Sequence, residues 1–354
     1  MAEDFRIDSH KLLFHPQRVA DWLGGKNIYP LSMEIAPSGT CNHRCTFCAL
    51  DYMEYKPVLL DKDLILKNLR DMYDRGLKSI VLAGEGEPLV NKDTPEIING
   101  SKEIGLDIAM STNGVLFTSE VSKDCLHNLT WVRFSVSAAT SGTYDKIHRG
   151  KQGDFERAIT NISEAVKIKK RDKLRTTIGV QLLLIPENTQ EVLELGRMLK
   201  EIGVDYYTVK PFSQHPKSIC TVDTGFDYNL YLDMERQLNE MVTDSYKIYF
   251  RAKSMKKKSH CKSYDKCFGL PFFTYVDANA QVWPCIAFLG DMELCYGSMK
   301  EKSFVEIWEG EQRAKVMDRM MKMDISSCRE LCRLDEINRY LYELKNPGEH
   351  VNFV

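Results

Sequence analysis

The stretch "CNHRCTFC", residues 41–48, decides how the rest of the chain reads. It sets three cysteines at C-x3-C-x2-C spacing, with no fourth cysteine nearby. Three thiolates are one short of the four ligands of a closed structural zinc site. They are also one short of a fully ligated four-iron cluster. Either a distant residue completes the set, or the site stays open to something that is not protein.

Immediately upstream, "LSMEIAP" (residues 31–37) reads as a buried strand ended by proline, so the cysteine loop leaves a strand's carboxyl end. Downstream, an Asp61-capped helix runs to Gly76, and further strands are expected at 79–84, 106–112, 131–137, 176–185 and 205–211. Helices at 94–105, 119–128, 155–170 and 189–202 separate them. Strands that alternate with helices in this way predict an α/β fold, one parallel sheet with helices outside. Such sheets carry their chemistry at the carboxyl ends of the strands.

Residues 1–30 read as an N-terminal helical extension and residues 31–224 as the strand–helix body. From about Gly225 the pattern changes. A helix at 228–243 leads to a basic run, Arg251–Lys262, then short strands at 272–276 and 281–284 and helical segments at 304–321 and 330–344. Residues 225–354 are therefore expected to form a smaller α+β module docked behind the body.

The 354 residues are 43% hydrophobic and 28% charged, with a net charge of −2, an ordinary soluble balance that gives no reason to expect nucleic acid. The longest apolar run, "IGVQLLLI" at 178–185, is too short to cross a bilayer, so no membrane partner is expected. The acidic start "MAEDFRIDSH" does not look like a signal peptide. A reducing, cytoplasmic location follows as an expectation. There, 11 cysteines point to metal rather than disulfides.

With Phe47 before its last cysteine, the triple-cysteine motif resembles the signature of the radical S-adenosylmethionine (SAM) superfamily. Later landmarks fall in the matching order. "AGEGEP" (83–88) resembles the turn that meets the SAM amino group, which brings in Gly84, Glu85, Gly86, Glu87 and Pro88, although Glu85 splits the glycines. "STNG" (111–114) resembles the segment near the SAM ribose, with Thr112 and Asn113. "FSVSA" and "YDKIHRG" resemble the segments whose serine and arginine hold the SAM carboxylate, here Ser135 and Arg149. The resemblance implies a partial (β/α)6 TIM-like barrel and a 4Fe-4S cluster on Cys41, Cys45 and Cys48 whose open iron takes SAM. It also implies an external one-electron reductant of flavodoxin or ferredoxin type. The missing ligand is then the cosubstrate. The alternative is a zinc site or three unrelated core thiols.

"CFGLPFFTYVDANAQVWPC" (267–285) resembles the opening half of SPASM and twitch modules, with Ala280 where those modules usually have glycine. The spacing C-x17-C-x42-C-x3-C implies a shortened, twitch-like module with one auxiliary 4Fe-4S cluster on Cys267, Cys285, Cys328 and Cys332. Cys261 competes for a place in that set, and a structural zinc on the same thiolates is the alternative. Cys125 and Cys295 read as ordinary buried thiols.

"VKPFSQHPKSIC" (209–220) leaves the sixth strand on the catalytic face, which makes Lys210, His215 and Cys220 the candidate catalytic residues beside Ser213 and Gln214. Cys220 is either a hydrogen-atom donor or an inert loop thiol. The basic run at 251–262 either attracts a phosphate-bearing substrate or is a solvated edge. With 40 residues before Cys41, a separate peptide-binding domain is not expected. The leading expectation is hydrogen abstraction from a small polar molecule, a sugar, aminocyclitol or nucleotide-linked sugar, with the auxiliary cluster as electron acceptor. Radical epimerisation of a sugar or peptide, and a non-enzymatic iron–sulfur or zinc redox sensor, stay open beside it.

Overall fold

A computed structural model describes residues 9–222, 227–257, 262–329 and 331–353. Its parallel strands are β1 (Ser32–Ile35), β2 (Ser79–Leu82), β3 (Asp107–Thr112), β4 (Trp131–Ser135), β5 (Thr177–Leu184), β6 (Tyr206–Pro211) and β7 (Lys247–Phe250). Three more follow: β8 (Phe273–Val276), β9 (Gln281–Trp283) and β10 (Gly297–Ser298). All ten form one sheet of order β10-β9-β8-β1-β2-β3-β4-β5-β6-β7. The first six strands lie where the alternation of apolar strand and amphipathic helix places them. The seventh, β7, pairs parallel to β6 and extends the barrel-like body past residue 225.

The helices are α1 (Pro16–Leu23), α2 (Lys62–Asp74), α3 (Thr94–Ile104), α4 (Ser119–Cys125), α5 (Ser141–His148), α6 (Asp154–Asp172) and α7 (Val192–Ile202). After β6 come α8 (Asp233–Asn239), α9 (Ala252–Lys257), α10 (Phe304–Glu309), α11 (Glu311–Lys322) and α12 (Asp335–Lys345). Helix α2 shows why such segments form. Asp61 caps it by accepting the Leu64 N–H, and Ile65, Leu69 and Met72 put one buried stripe on the sheet. The helical segment expected at 304–321 is two helices, because the chain extends at Gly310.

The C-terminal module does not dock behind the body. Strand β8 pairs parallel with β1, from Ser32 against Phe273 to Ile35 against Val276, so the module continues the same sheet. The reason lies in the strand sequence "FTYV", buried on both faces, which needs a partner edge for its backbone groups. The N-terminal extension packs on this module. Val19, Ile28 and Leu31 share a core with Phe268, Phe272 and Leu341, and Trp308 donates its indole N–H to the Ile28 carbonyl at 2.9 Å. Among the described residues no helix is long and apolar enough to cross a membrane.

Candidate active site

The carboxyl ends of β1, β2, β3, β4 and β6 converge on one edge of the sheet, where the loop after β1 carries Cys41, Cys45 and Cys48. All three thiols are partly buried and free. Burial, then Glu87 and Cys48 nearby, push the Cys41 thiol up to about 12. Burial, then Cys41 and Cys48, push Cys45 well above its usual value. Thiols that oppose one another's ionisation in this way need a cation between them, and an iron cluster supplies it.

His148, at the end of α5, fixes the middle thiol. Its Nε2 accepts the Ser137 N–H at 3.1 Å, so the ring proton sits on Nδ1, which faces Cys45 Sγ at 3.4 Å. Burial, then His43, push its pKa down to about 3. The imidazole is thus a neutral donor at pH 7, stacked on Tyr144 at 4.1 Å. Neither α5 nor His148 was expected from the sequence, although the neighbouring Arg149 was.

The turn after β2 packs directly on this loop. A Cβ at Gly86 would lie 2.2 Å from the Thr40 carbonyl and 2.4 Å from that of Ser38, so only glycine fits. Gly84 has φ +120 and would strike Ala36 and Tyr275. Pro88 opens a short turn and is buried. Glu87 accepts hydrogen bonds from Thr112 Oγ1 at 2.6 Å and the Asn113 N–H at 2.8 Å. Asn113 in turn donates to Asn42 inside the cysteine motif at 2.7 Å. Thr112, Asn113 and Glu87 therefore brace the loop from beneath. Glu85 is engaged within the protein. Its carboxylate turns to the C-terminal module and accepts from the Ala278 N–H at 3.0 Å and the Tyr275 hydroxyl at 3.3 Å. Ser135 lies on the same face of β4 as Arg133, while Arg149 is exposed with φ 51 at the end of α5.

In the module, Cys267, Cys285, Cys328 and Cys332 come together. Burial, then Cys332 and Cys328 with the Asn338 amide opposing, push Cys267 up to about 12. Cys285 rises well above its usual value through burial and then Cys332, Cys267 and Cys328. Four partly buried thiols within electrostatic reach of one another offer the donor set of a fully ligated iron–sulfur cluster or of a tetrahedral zinc. Cys261 lies outside the described residues. Ala280 has φ 63, which explains why glycine suits that position.

Between the strand ends and this module lies a cavity of about 350 Å³, lined by Lys210 and Ser213 on one side and Cys285 and Cys332 on the other. Lys210 thus shares a cavity with Cys285 and Cys332, while Cys41, Cys45 and Cys48 are not among its lining residues. His215 is not among the lining residues. It stacks on Tyr52 at 5.1 Å, and burial followed by Arg329 and Lys217 push its pKa down to about 4. Cys220 sits beside the other cysteine loop, with Sγ 3.8 Å from the Cys45 carbonyl. Asp51 holds that segment by accepting the Ile219 N–H and the Ser218 hydroxyl, both at 2.9 Å, and the Cys220 N–H.

Comparison with known proteins bears on this arrangement. Residues 35–206 match the model of the radical SAM superfamily, and residues 267–333 match that of the SPASM iron–sulfur cluster-binding domain. The chain is 27% identical over 295 residues to the tungsten-containing aldehyde ferredoxin oxidoreductase cofactor-modifying protein of Pyrococcus furiosus, covering 77% of this chain and 79% of that one. It is 26% identical over 290 residues to the AdoMet-dependent heme synthase of Methanosarcina barkeri, covering 76% and 79%. Among solved structures, Streptococcus suis SuiB bound to S-adenosylmethionine superposes with a TM-score of 0.65 at 18% identity, over 95% of this chain and 79% of that one. SuiB has also been solved bound to its precursor peptide SuiA.

Proposed function

From a chain that carries a radical SAM domain followed by a SPASM domain, we propose a dehydrogenase that takes two hydrogens from a small polar substrate, one as an atom and one as a proton with an electron. When bound, the 4Fe-4S cluster and SAM supply the 5′-deoxyadenosyl radical that takes the atom, and the auxiliary iron–sulfur cluster supplies an acceptor for the electron. The chain's own work is placement. Cys41, Cys45 and Cys48 present three thiolates and leave the fourth position to SAM. His148 orients Cys45, while Glu87 and Asn113 hold the loop at the strand ends. Cys267, Cys285, Cys328 and Cys332 present four thiolates to the second site.

The observation that supports oxidation is that Cys285 and Cys332 line the same cavity as the end of β6. An electron left on a substrate there has a short path to the second site. A volume of about 350 Å³ suits a small molecule. Neither relative named above specifies a sugar, aminocyclitol or nucleotide-linked sugar, so the substrate class is kept at small and polar. Epimerisation is the second reading, because a thiol at Cys220 lies near the strand ends. Its position against the Cys45 carbonyl puts it on the SAM side, which favours oxidation.

Mass spectrometry of the product made in ordinary and heavy water tests the choice. Oxidation gives a product lighter by a hydrogen pair and without deuterium on carbon. A product of unchanged mass that takes up deuterium, with uptake lost in Cys220→Ala, establishes epimerisation instead.

A further inference from the structure

Six cationic side chains line the cavity, Arg133, Lys210, Arg251, Lys253, Arg329 and Arg333, against two carboxylates, Asp335 and Glu336. Some of this charge is answered within the protein. Arg333 pairs with the buried Glu34, and Asp335 is engaged by Arg339 at 3.1 Å and the Tyr264 hydroxyl at 2.9 Å. Arg329 donates to neutral acceptors, the Ser213 hydroxyl at 3.2 Å and the Ser213 carbonyl at 2.9 Å, with Cys332 and Glu34 as its electrostatic partners among the described residues. Arg133 reaches the Ser111 hydroxyl at 3.4 Å, while its Nε is a buried donor with no hydrogen-bond partner. Lys210, after burial, is most strongly affected by Arg133, Arg329, Arg251 and Arg333, which hold its pKa well below the usual lysine range.

Cations near a thiolate-bound cluster can be counter-charges to it, and Arg329 and Arg333 both act on Cys332. That account does not extend to Lys210 on β6, and Glu34, the carboxylate that acts on Arg133 of β4, is already paired with Arg333. Gathering desolvated like charges costs free energy unless an anion joins them. A guanidinium fork with a spare buried N–H matches a carboxylate or phosphate edge.

We propose that this cavity binds a ligand carrying at least two negative charges on carboxylate or phosphate oxygens, with Arg133, Lys210 and Arg329 as its direct partners. This rests on the reading of the cavity as the substrate site, and it narrows the substrate from polar to polyanionic.

Cluster-loaded enzyme, saturated with SAM so that the SAM carboxylate site is filled, is titrated calorimetrically with inorganic phosphate and separately with tricarballylate. Saturable binding of either supports the proposal, and the tighter probe tells a phosphate-bearing ligand from a polycarboxylate. Arg133→Gln and Lys210→Met each weaken that binding about tenfold, for one charged hydrogen bond lost. Lys315→Gln, on the exposed face of α11, leaves it unchanged. Lys210→Met also raises the melting temperature of the ligand-free enzyme, because it removes a charge from among four arginines, whereas loss of a merely packed lysine lowers it. Binding of neither probe, or equal binding by wild type and both cavity variants, overturns the proposal. SAM cleavage by the dithionite-reduced enzyme is measured in parallel. Cleavage without anion binding overturns the anion site alone. Anion binding without cleavage overturns the radical reading and leaves the anion site standing.

Discussion

Glu85 ties the turn after β2 to the C-terminal module, and its burial makes that tie sensitive to pH. Burial, then Asp277, push its pKa up from 4.5 to about 7. An acid whose folded pKa lies above its unfolded value holds its proton more tightly when folded. Its contribution is therefore complete below about pH 4.5 and is lost as the pH rises through about 7. At about 1.4 kcal/mol per tenfold, the ionised form is penalised by about 3 kcal/mol above pH 8. Taking about 2.1 cal/mol/K per residue as the unfolding entropy, that is a difference of about 4 °C in melting temperature for a chain of 354 residues. Glu85→Gln keeps an acceptor for the Ala278 N–H and cannot ionise. The expected result is that wild type and Glu85→Gln melt together near pH 5, and that the variant melts about 4 °C higher at pH 8. Scanning calorimetry at the two pH values reads the gap. A gap of the same size at both, or a wild type more stable at pH 8, refutes the reasoning.

Replacing Cys41, Cys45 and Cys48 together by alanine abolishes SAM cleavage while iron analysis still finds roughly four irons per chain, the complement of the auxiliary site. Zinc in place of that iron would make the second site structural. Gly86→Ala drives a Cβ into the Thr40 carbonyl, so the three-cysteine site loses most of its iron and the auxiliary site keeps its own, as separate EPR signals report. His148→Phe keeps a ring on Tyr144 and removes the N–H from Cys45. A hydrogen bond to an anionic sulfur is worth about 1.5–3 kcal/mol and favours the reduced cluster. The potential of the three-cysteine cluster therefore falls, by at most about 60–130 mV at about 59 mV per tenfold for one electron. An unmoved potential in an EPR-monitored titration shows that the contact does not tune it.

Local patterns announced themselves in the sequence, and long-range partners did not. The triple cysteine, the strand before it and the glycine turn each carry their signal within a few residues. Nothing near Glu85 in the sequence reveals that its hydrogen-bond partners lie at Tyr275 and Ala278. Strand β7, "KIYF", was hidden by its four-residue length beside a basic run. The cationic wall had one legible sign. Arg133 stands between the buried Val132 and Phe134 on β4, an alternation that turns its charge to the other face of the sheet. Its companions on β6 and in the C-terminal module are too far along the chain for any window to join them. His148 gave no sign of its own, since a lone histidine at a helix end carries no spacing to read.

The pairing of β8 with β1 has a consequence for the spacing of the two cysteine sets. Main-chain hydrogen bonds, in register from Ser32 to Ile35, join the two halves of the molecule at the strand preceding Cys41 and the strand between Cys267 and Cys285. A slip of one residue would turn every β8 side chain to the wrong face, so the register has no near neighbour to which it can drift. The interval between the two cysteine sets is thus graduated by strand geometry, like marks on a ruler, and not by a linker free to swing. Side chains on the cavity wall can be exchanged to suit a different occupant while the spacing of the two cysteine sets stays the same.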